Sequence, residues 1–314
     1  MLRSPPRYSD PRLPPLDESD RQIIELLVKD GRASGRDLAQ QTGLSEANVS
    51  RRLARLIQER SVRIVAFVPP ECLGLATQFV TLIRVRGDSD TVAADLLKHP
   101  ELSYITGALG PWDLMAYGVV RDSRALVALQ DRAFQGNPLL RDTHTEVVLE
   151  FPYTGRGHES GTGVRELDEI DQQVIRQVQA DGRMSFTDIA QATGISATSA
   201  ADRFRRLTAD GIVRIVTLPD PARIGLHVSG HVALSVSIAS HEAIRRLSAF
   251  PELSFLCVLT GSHPVRGEFH VKDAAAFDAL RNRLLAVEGV RDLVPSIHRR
   301  LYRQSFVWGG KQGS

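Results

Sequence analysis

Residues 30–45 read DGRASGRDLAQQTGLS, and residues 181–196 read DGRMSFTDIAQATGIS. The offset between them is 151 positions. At that offset Leu16-Asp17-Glu18 falls on Leu167-Asp168-Glu169, Val62-Arg63-Ile64-Val65 on Val213-Arg214-Ile215-Val216, and Gly74-Leu75 on Gly225-Leu226. About 26 of roughly 60 positions are then identical, so the chain is an internal duplication. The period is far too long for a solenoid unit, which leaves two copies of a two-part module. Between them residues 154–164, rich in Gly and Ser, read as a flexible linker.

In the first part of each module, Ile23, Ile24 and Leu27 recur at helical spacing after Asp17, with Gly31 expected as the C′ residue. Ser34, with Asp37 three residues on, reads as an N-cap pair for a short second helix through Leu38 and Ala39, which Gly43 stops. Ser45 caps a third, running to about Glu59. Two short helices joined by a tight Gly-containing turn make a helix-turn-helix, with the strand-like Val62 to Val68 as its wing. On a wheel of the third helix Val49, Leu53, Leu56 and Ile57 form the inward stripe, leaving Ala47, Ser50, Arg51, Ala54, Arg55 and Gln58 outward.

That outward set suits a major groove. Small residues allow close approach, Arg51 and Arg55 reach guanine edges or phosphates, and the backbone amides near Ser45 can hold a phosphate. The candidate DNA contacts are Ser45, Ala47, Asn48, Ser50, Arg51 and Arg55 in the first copy, and Ser196, Thr198, Ser199, Arg205 and Arg206 in the second. The plain alternative is a solvated helix face, and its recurrence in both copies argues against that. Asp202 replaces Arg51 in the second copy, where a carboxylate facing phosphates is unfavourable. Either this reader prefers another sequence, through a cytosine amino group, or it binds weakly. Arg52 and its counterpart Arg203 lie beside the apolar stripe and are expected to pair with the first-helix carboxylates Asp20 and Asp171.

The second part reads as strand, helix, strand, strand, helix, strand: Gln78 to Arg86, Asp90 to Lys98, Leu102 to Thr106, Leu114 to Val120, Ser123 to Phe134 and Thr143 to Phe151. The second copy repeats the order from His231 to Tyr302. This is the ferredoxin-like βαββαβ pattern, whose free sheet face two copies would cover by packing on each other. The fold class is therefore α+β: two winged helix-turn-helix domains at 16–70 and 167–221, and two ferredoxin-like domains at 76–152 and 228–304. A linker spans 153–166, and tails span 1–15 and 305–314.

Composition agrees. The 314 residues carry 39 Lys plus Arg against 37 Asp plus Glu and are 42% hydrophobic. That excludes disorder and a polybasic protein, so any nucleic-acid surface is small and local. Cys72 and Cys257 stand alone, without a CxxC or zinc-ligand spacing, which points to a reducing compartment. No apolar run approaches the about 18 residues of a membrane span, and the reading is a cytoplasmic protein with no membrane partner.

The Leu-Asp-x-x-Asp, Asp-Gly-Arg-x-Ser and Gly-Leu/Ile-Ser phrases, the terminal Gly-Leu and the following βαββαβ order resemble the Lrp/AsnC, or feast/famine, regulators over nearly all of residues 16–304. The resemblance implies a DNA-binding domain joined to an effector-binding and oligomerising domain called RAM. Typical members carry one module, so this chain would supply both readers itself, with further assembly into homo-oligomers. The expected function is a sequence-specific transcriptional regulator of double-stranded DNA, controlled by a small-molecule effector such as an amino acid, without enzymatic activity.

In the family the effector sits near the turn between the second and third RAM strands, where a Gly and a following Asp take part. The matching residues are Thr106, Gly107, Gly110 and Asp113; the glycines would admit a ligand carboxylate to backbone amides and Asp113 would accept from an amino group. The bland reading is an ordinary turn. In the second copy Arg266 is aligned with Asp113, which argues against the same ligand pose. His227, His231, His241, His263, His270 and His298 crowd the second half without ligand-motif spacing, so neither a metal nor a cofactor is expected. Two rivals stand beside the regulator. One is an enzyme resembling siroheme decarboxylases, with His298, Arg299 and Arg300 recruited to a tetrapyrrole; the other is a metabolite-sensing scaffold with degenerate readers, for which Asp202 speaks.

Overall fold

The computed structural model describes residues 13–153 and 166–308. Nearly all of the expected linker and the outer parts of both tails lie outside the described residues. The first module runs α1 (Glu18–Lys29), α2 (Gly35–Thr42), α3 (Glu46–Gln58), β1 (Val62–Phe67), β2 (Thr77–Val85), α4 (Ser89–Leu96), β3 (Leu102–Leu109), β4 (Leu114–Val120), α5 (Ser123–Ala133) and β5 (Leu140–Tyr153). The second repeats it as α6 (Glu169–Ala180), α7 (Phe186–Thr193), α8 (Ala197–Ala209), β6 (Arg214–Pro219), β7 (Val228–Val236), α9 (Ser240–Leu247), β8 (Leu253–Leu259), β9 (Val265–Val271), α10 (Ala274–Leu285) and β10 (Val290–Gln304). The copies do not fold as separate beads. Helix-turn-helix joins helix-turn-helix in one compact unit, and βαββαβ joins βαββαβ in another.

In the helical unit, the Leu-Asp-x-x-Asp phrase is a cap. Asp17 accepts from the Asp20 amide at 2.8 Å, and Asp20 accepts in return from the Asp17 amide at 3.4 Å, satisfying two of the orphan donors of α1. Ser34 and Ser45 accept from the third amide of α2 and α3, and Gly43 ends α2 in the left-handed conformation. Ile23, Ile24, Leu27, Leu38, Val49 and Leu56 fill the first core, and Val174, Ile175, Ile189, Phe204 and Leu207 the second.

Three expectations change here. Gly31 is not a left-handed C′ residue, because α1 ends on Asp30 in extended backbone. Its glycine is required by packing: a Cβ there would sit 2.7 Å from Ile215 Cγ2, and one on Gly182 would sit 2.9 Å from the Ile64 carbonyl oxygen. Second, β1 is no free-standing wing. It pairs antiparallel with β6, and Val65 lies opposite its own counterpart Val216, which puts a pseudo-two-fold axis through that pair. Reciprocal arginines close the same interface: Arg32 donates to the carbonyls of Gly182 and Met184, both at 2.8 Å, and Arg183 to those of Gly31 and Ala33 at 2.7 and 2.9 Å. Third, Ile57 belongs to no inward stripe; it is 43% exposed, lying past the edge of a face already filled by Val49 and Leu56.

In the sheet unit each copy forms the expected four-stranded antiparallel sheet, β3-β4-β2-β5 and β8-β9-β7-β10, with Phe79, Ile83, Leu102, Ile105 and Leu129 in one helix-facing core and Val232, Leu234, Leu256, Phe269 and Leu280 in the other. The copies go beyond face-to-face packing. Edge strand β5 pairs with β8 and β10 with β3, closing an eight-stranded barrel in which every edge strand finds a partner. β10 also sends Tyr302 into the core of the first copy, and Arg303 donates to the carbonyls of His99 and Leu102 beyond the end of α4.

Candidate nucleic-acid interface and ligand sites

On α3 the residues Ala47, Ser50, Arg51, Ala54 and Gln58 are exposed, as is the N-cap Ser45; Asn48 is half-buried and accepts from Arg51 at 3.3 Å and Arg52 at 3.1 Å. Arg55 is held differently from Arg51. Its guanidinium lies 2.5 Å from Asp20 Oδ2, and Asp20 is 1% exposed, so this arginine is partly committed to the fold. Arg52 makes the pairing expected of it, with Asp20 at 2.7 Å and Asp17 at 2.6 Å, and Arg203 repeats it with Asp171 and Asp168, both at 2.7 Å. The Asp20 amide, then the Arg52 guanidinium, hold the Asp17 carboxyl below the usual carboxylate range; the Asp171 amide and Arg203 do the same for Asp168.

On α8 Ser196, Thr198, Arg205 and Arg206 are exposed and Ser199 is half-buried. Asp202 does not sit bare on this face; it accepts from Arg205 at 2.8 Å, one turn along. The outer faces of α3 and α8 thus present different chemistry on a shared frame: Ala, Asn, Ser, Arg and Ala at 47, 48, 50, 51 and 54 become Thr, Ser, Ala, Asp and Arg at 198, 199, 201, 202 and 205.

The expected effector residues line the end of β3 and the hairpin leading to β4. Thr106 is fully buried and donates to the Arg300 carbonyl at 3.0 Å; Gly107 lies against Tyr302 and Arg299; Gly110 lies against Pro295 and Ser296 of β10. Asp113 accepts from the Val85 amide at 2.8 Å with one carboxylate oxygen. Beside them Arg84 lies over the Trp112 ring, 4.8 Å from its centroid, and Trp112 stacks on His144. Strand register corrects the assignment in the second copy. Leu114 pairs with Ile83 and Val265 with Leu234, so Arg266 is the counterpart of Met115 and Pro264 that of Asp113. Accordingly Arg266 points into the barrel, where it meets Glu146 of β5 at 2.5 Å with both side chains 5% exposed.

Sequence reasoning missed what lies next to it. His231 on β7, Glu268 on β9 and His298 on β10 converge in the barrel, with one ligand-type atom of each within 4.8 Å of the others. His298 Nε2 is 2.5 Å from His231 Nδ1, and Glu268 accepts from Ser254 at 2.9 Å and from Tyr104, on the first copy's β3, at 3.3 Å. No linear spacing announces this set, since each member comes from a different strand. The signal was in the comparison of copies: at the matching register positions the first copy has Val80, Tyr117 and Val148. Arg299 and Arg300, the other residues weighed for a tetrapyrrole, both bind Asp90 at 2.7 Å.

The profile of the AsnC-type helix-turn-helix domain matches residues 16–57 and again 167–208, and that of the Lrp/AsnC ligand binding domain matches residues 78–157. The HTH-type transcriptional regulator FL11 of Pyrococcus abyssi is 34% identical over 137 residues, which are 43% of this chain and 90% of that protein. The HTH-type transcriptional regulator PH0140 of Pyrococcus horikoshii is 28% identical over 135 residues, 42% of this chain and 85% of that one. Each such relative spans one module. Among solved structures, the siroheme decarboxylase NirDL superposes with a TM-score of 0.64, covering 92% of this chain and 93% of its own at 15% identity, a likeness of tandem fold alone.

Proposed function

The chain belongs to the Lrp/AsnC family of transcriptional regulators, and on that premise we propose that it is a sequence-specific regulator in which one polypeptide supplies both DNA readers. The observation that supports this most directly is the pair α3 and α8, held about one pseudo-two-fold axis by β1 and β6, with the Arg51 guanidinium exposed on the first. In this reading Ser45, Ala47, Ser50 and Arg51 meet one half-site, with Arg55 sharing its charge with Asp20, while Ser196, Thr198, Arg205 and Arg206 meet another of different sequence. Arg205 then answers the role of Arg51 while its pairing with Asp202 at 2.8 Å offsets the carboxylate charge on that face. A gel shift on the DNA upstream of the protein's own gene tests it. Binding should weaken with salt by a slope of about 0.9 per phosphate neutralised. Arg51→Ala should cost about 1–3 kcal/mol on the cognate sequence and far less on random DNA. Equal losses on both would sink the assignment of Arg51 as a base reader.

The small-molecule control is assigned to the β3–β4 hairpin of the first copy, where Gly107, Gly110 and Asp113 would take the carboxylate and amino groups of an amino acid. Thr106, already bonded to Arg300, would support the strand beneath. The chain then acts in the cytoplasm, by binding rather than catalysis, and assembles into homo-oligomers of the two-copy unit. The fold shared with NirDL gives the enzyme reading one concrete check. Siroheme added to the protein should leave the tetrapyrrole absorbance spectrum unchanged.

A further inference from the structure

We propose that the second copy's half of the barrel holds a divalent transition-metal ion between the imidazoles of His231 and His298 and the carboxylate of Glu268. This rests on side-chain geometry and does not depend on the DNA-binding reading.

Two imidazoles and one carboxylate are a donor set for zinc and for other borderline first-row ions, with room left for a water or ligand oxygen. Among the described residues this is the set whose ligand atoms come together, within 4.8 Å. His231 is 2% and Glu268 7% exposed, so the ion would be shielded from bulk water. Burial holds both imidazoles below their ordinary range, His298 down to about 4, so each is neutral at pH 7 and offers a lone pair. Burial by itself would raise the Glu268 carboxyl, but His270, 3.6 Å away, outweighs it and holds the carboxyl below its ordinary range.

The outer contacts are those a metal site needs. Glu268 is oriented by Ser254 at 2.9 Å, by Tyr104 at 3.3 Å and by His270 at 3.6 Å, and His270 is fixed from behind by Ser229 at 2.8 Å. His231 Nδ1 and His298 Nε2, at 2.5 Å, share a hydrogen bond. Two nitrogens on one tetrahedral zinc stand about 3.3 Å apart, given bonds of about 2.0–2.1 Å. The ion therefore enters as the donor ring carries its proton on its other nitrogen instead and the rings part by under about 1 Å, which the partly exposed His298 can accommodate. Because β10 carries His298 and also zips onto β3 of the first copy, occupancy would stiffen one of the two seams that close the barrel.

The full chain is stripped with chelator, dialysed against Zn2+ and assayed by mass spectrometry for bound metal, with Co2+ as the spectroscopic probe. The expected result is one Zn2+ per chain, a Co2+ visible spectrum of low coordination number, and a rise in Tm on metal addition. His298→Val and His231→Val introduce the residue type that the first copy carries at those register positions. Each should lower Zn2+ affinity at least tenfold while the circular dichroism of the metal-free protein stays unchanged. Glu268→Gln should do the same and alter the Co2+ spectrum. His241→Ala, outside the set, should bind as the parent does. If the parent takes up no stoichiometric Zn2+, or if His298→Val and Glu268→Gln bind as tightly as it does, the proposal is overturned.

Discussion

The most informative single residue is Arg52, which sits on α3 beside the proposed DNA-contacting face yet works for the fold. Its guanidinium ties α3 to α1 through Asp20, 1% exposed, and Asp17. Arg52→Ala should cost about 1.5–3 kcal/mol, the range for hydrogen bonds to charged groups, with Arg55 limiting the loss by remaining on Asp20. Chemical denaturation followed by fluorescence measures it, and DNA affinity of the folded fraction should stay within about twofold. The sign of the pH dependence follows from Asp17. A carboxyl whose pKa is lowered in the folded state adds stability in full above its unfolded pKa of about 3.9, and that stability is lost as pH falls through the folded value. The gap between wild type and Arg52→Ala should therefore be widest near neutral pH and narrow below about pH 4. A gap that grows on acidification would contradict the pairing. This interaction was legible in the sequence because an arginine flanking an apolar stripe must find a carboxylate, and Asp20 recurs as Asp171. The role of Arg55 was not, since a wheel places a residue on a face without saying what reaches it from the next helix.

At the level of elements, the caps were readable and the pairings were not. Ser34, Gly43 and Ser45 mark α2 and α3 because capping is local chemistry. Gly31 misled because a glycine after a helix answers to two demands, positive φ or close approach, and here the second governs. Gly31→Ala must push aside Ile215 and Thr217 at the β1–β6 seam and should cost about 1–3 kcal/mol. Gly35, at the first position of α2 with nothing within 4 Å of where a Cβ would sit, is the control; alanine there should be neutral or stabilising by up to about 1 kcal/mol. Equal Tm losses for the two variants would show that backbone freedom, and not contact, fixes Gly31. The strands themselves were found to within a few residues by alternation, whereas the partnership of β5 with β8 and of β10 with β3 joins edges far apart in sequence, which no local pattern encodes.

On the scale of the whole chain, the two copies are mutually dependent. The first copy alone would expose β3 and β5 as open edges and lose Tyr302 from its core, and β1 would lose β6. Residues 1–157 expressed by themselves should therefore pair with a second copy of the same fragment, and light scattering after size exclusion should give twice the fragment mass; a stable monomer would count against the interlocked architecture. The α+β class and duplicated layout follow from repeated motifs and periodicity. The His231, Glu268 and His298 cluster stayed hidden because it is assembled only once three strands are in register. The pairing of Val65 with Val216 has one more consequence. Where identical subunits meet, a single codon change is expressed on both sides of the axis, so neither side can drift without the other. Here the sides have separate codons, and the differences between Arg51 and Asp202, or Val80 and His231, are what such freedom accumulates: a dimer in shape whose halves can be rewritten one at a time.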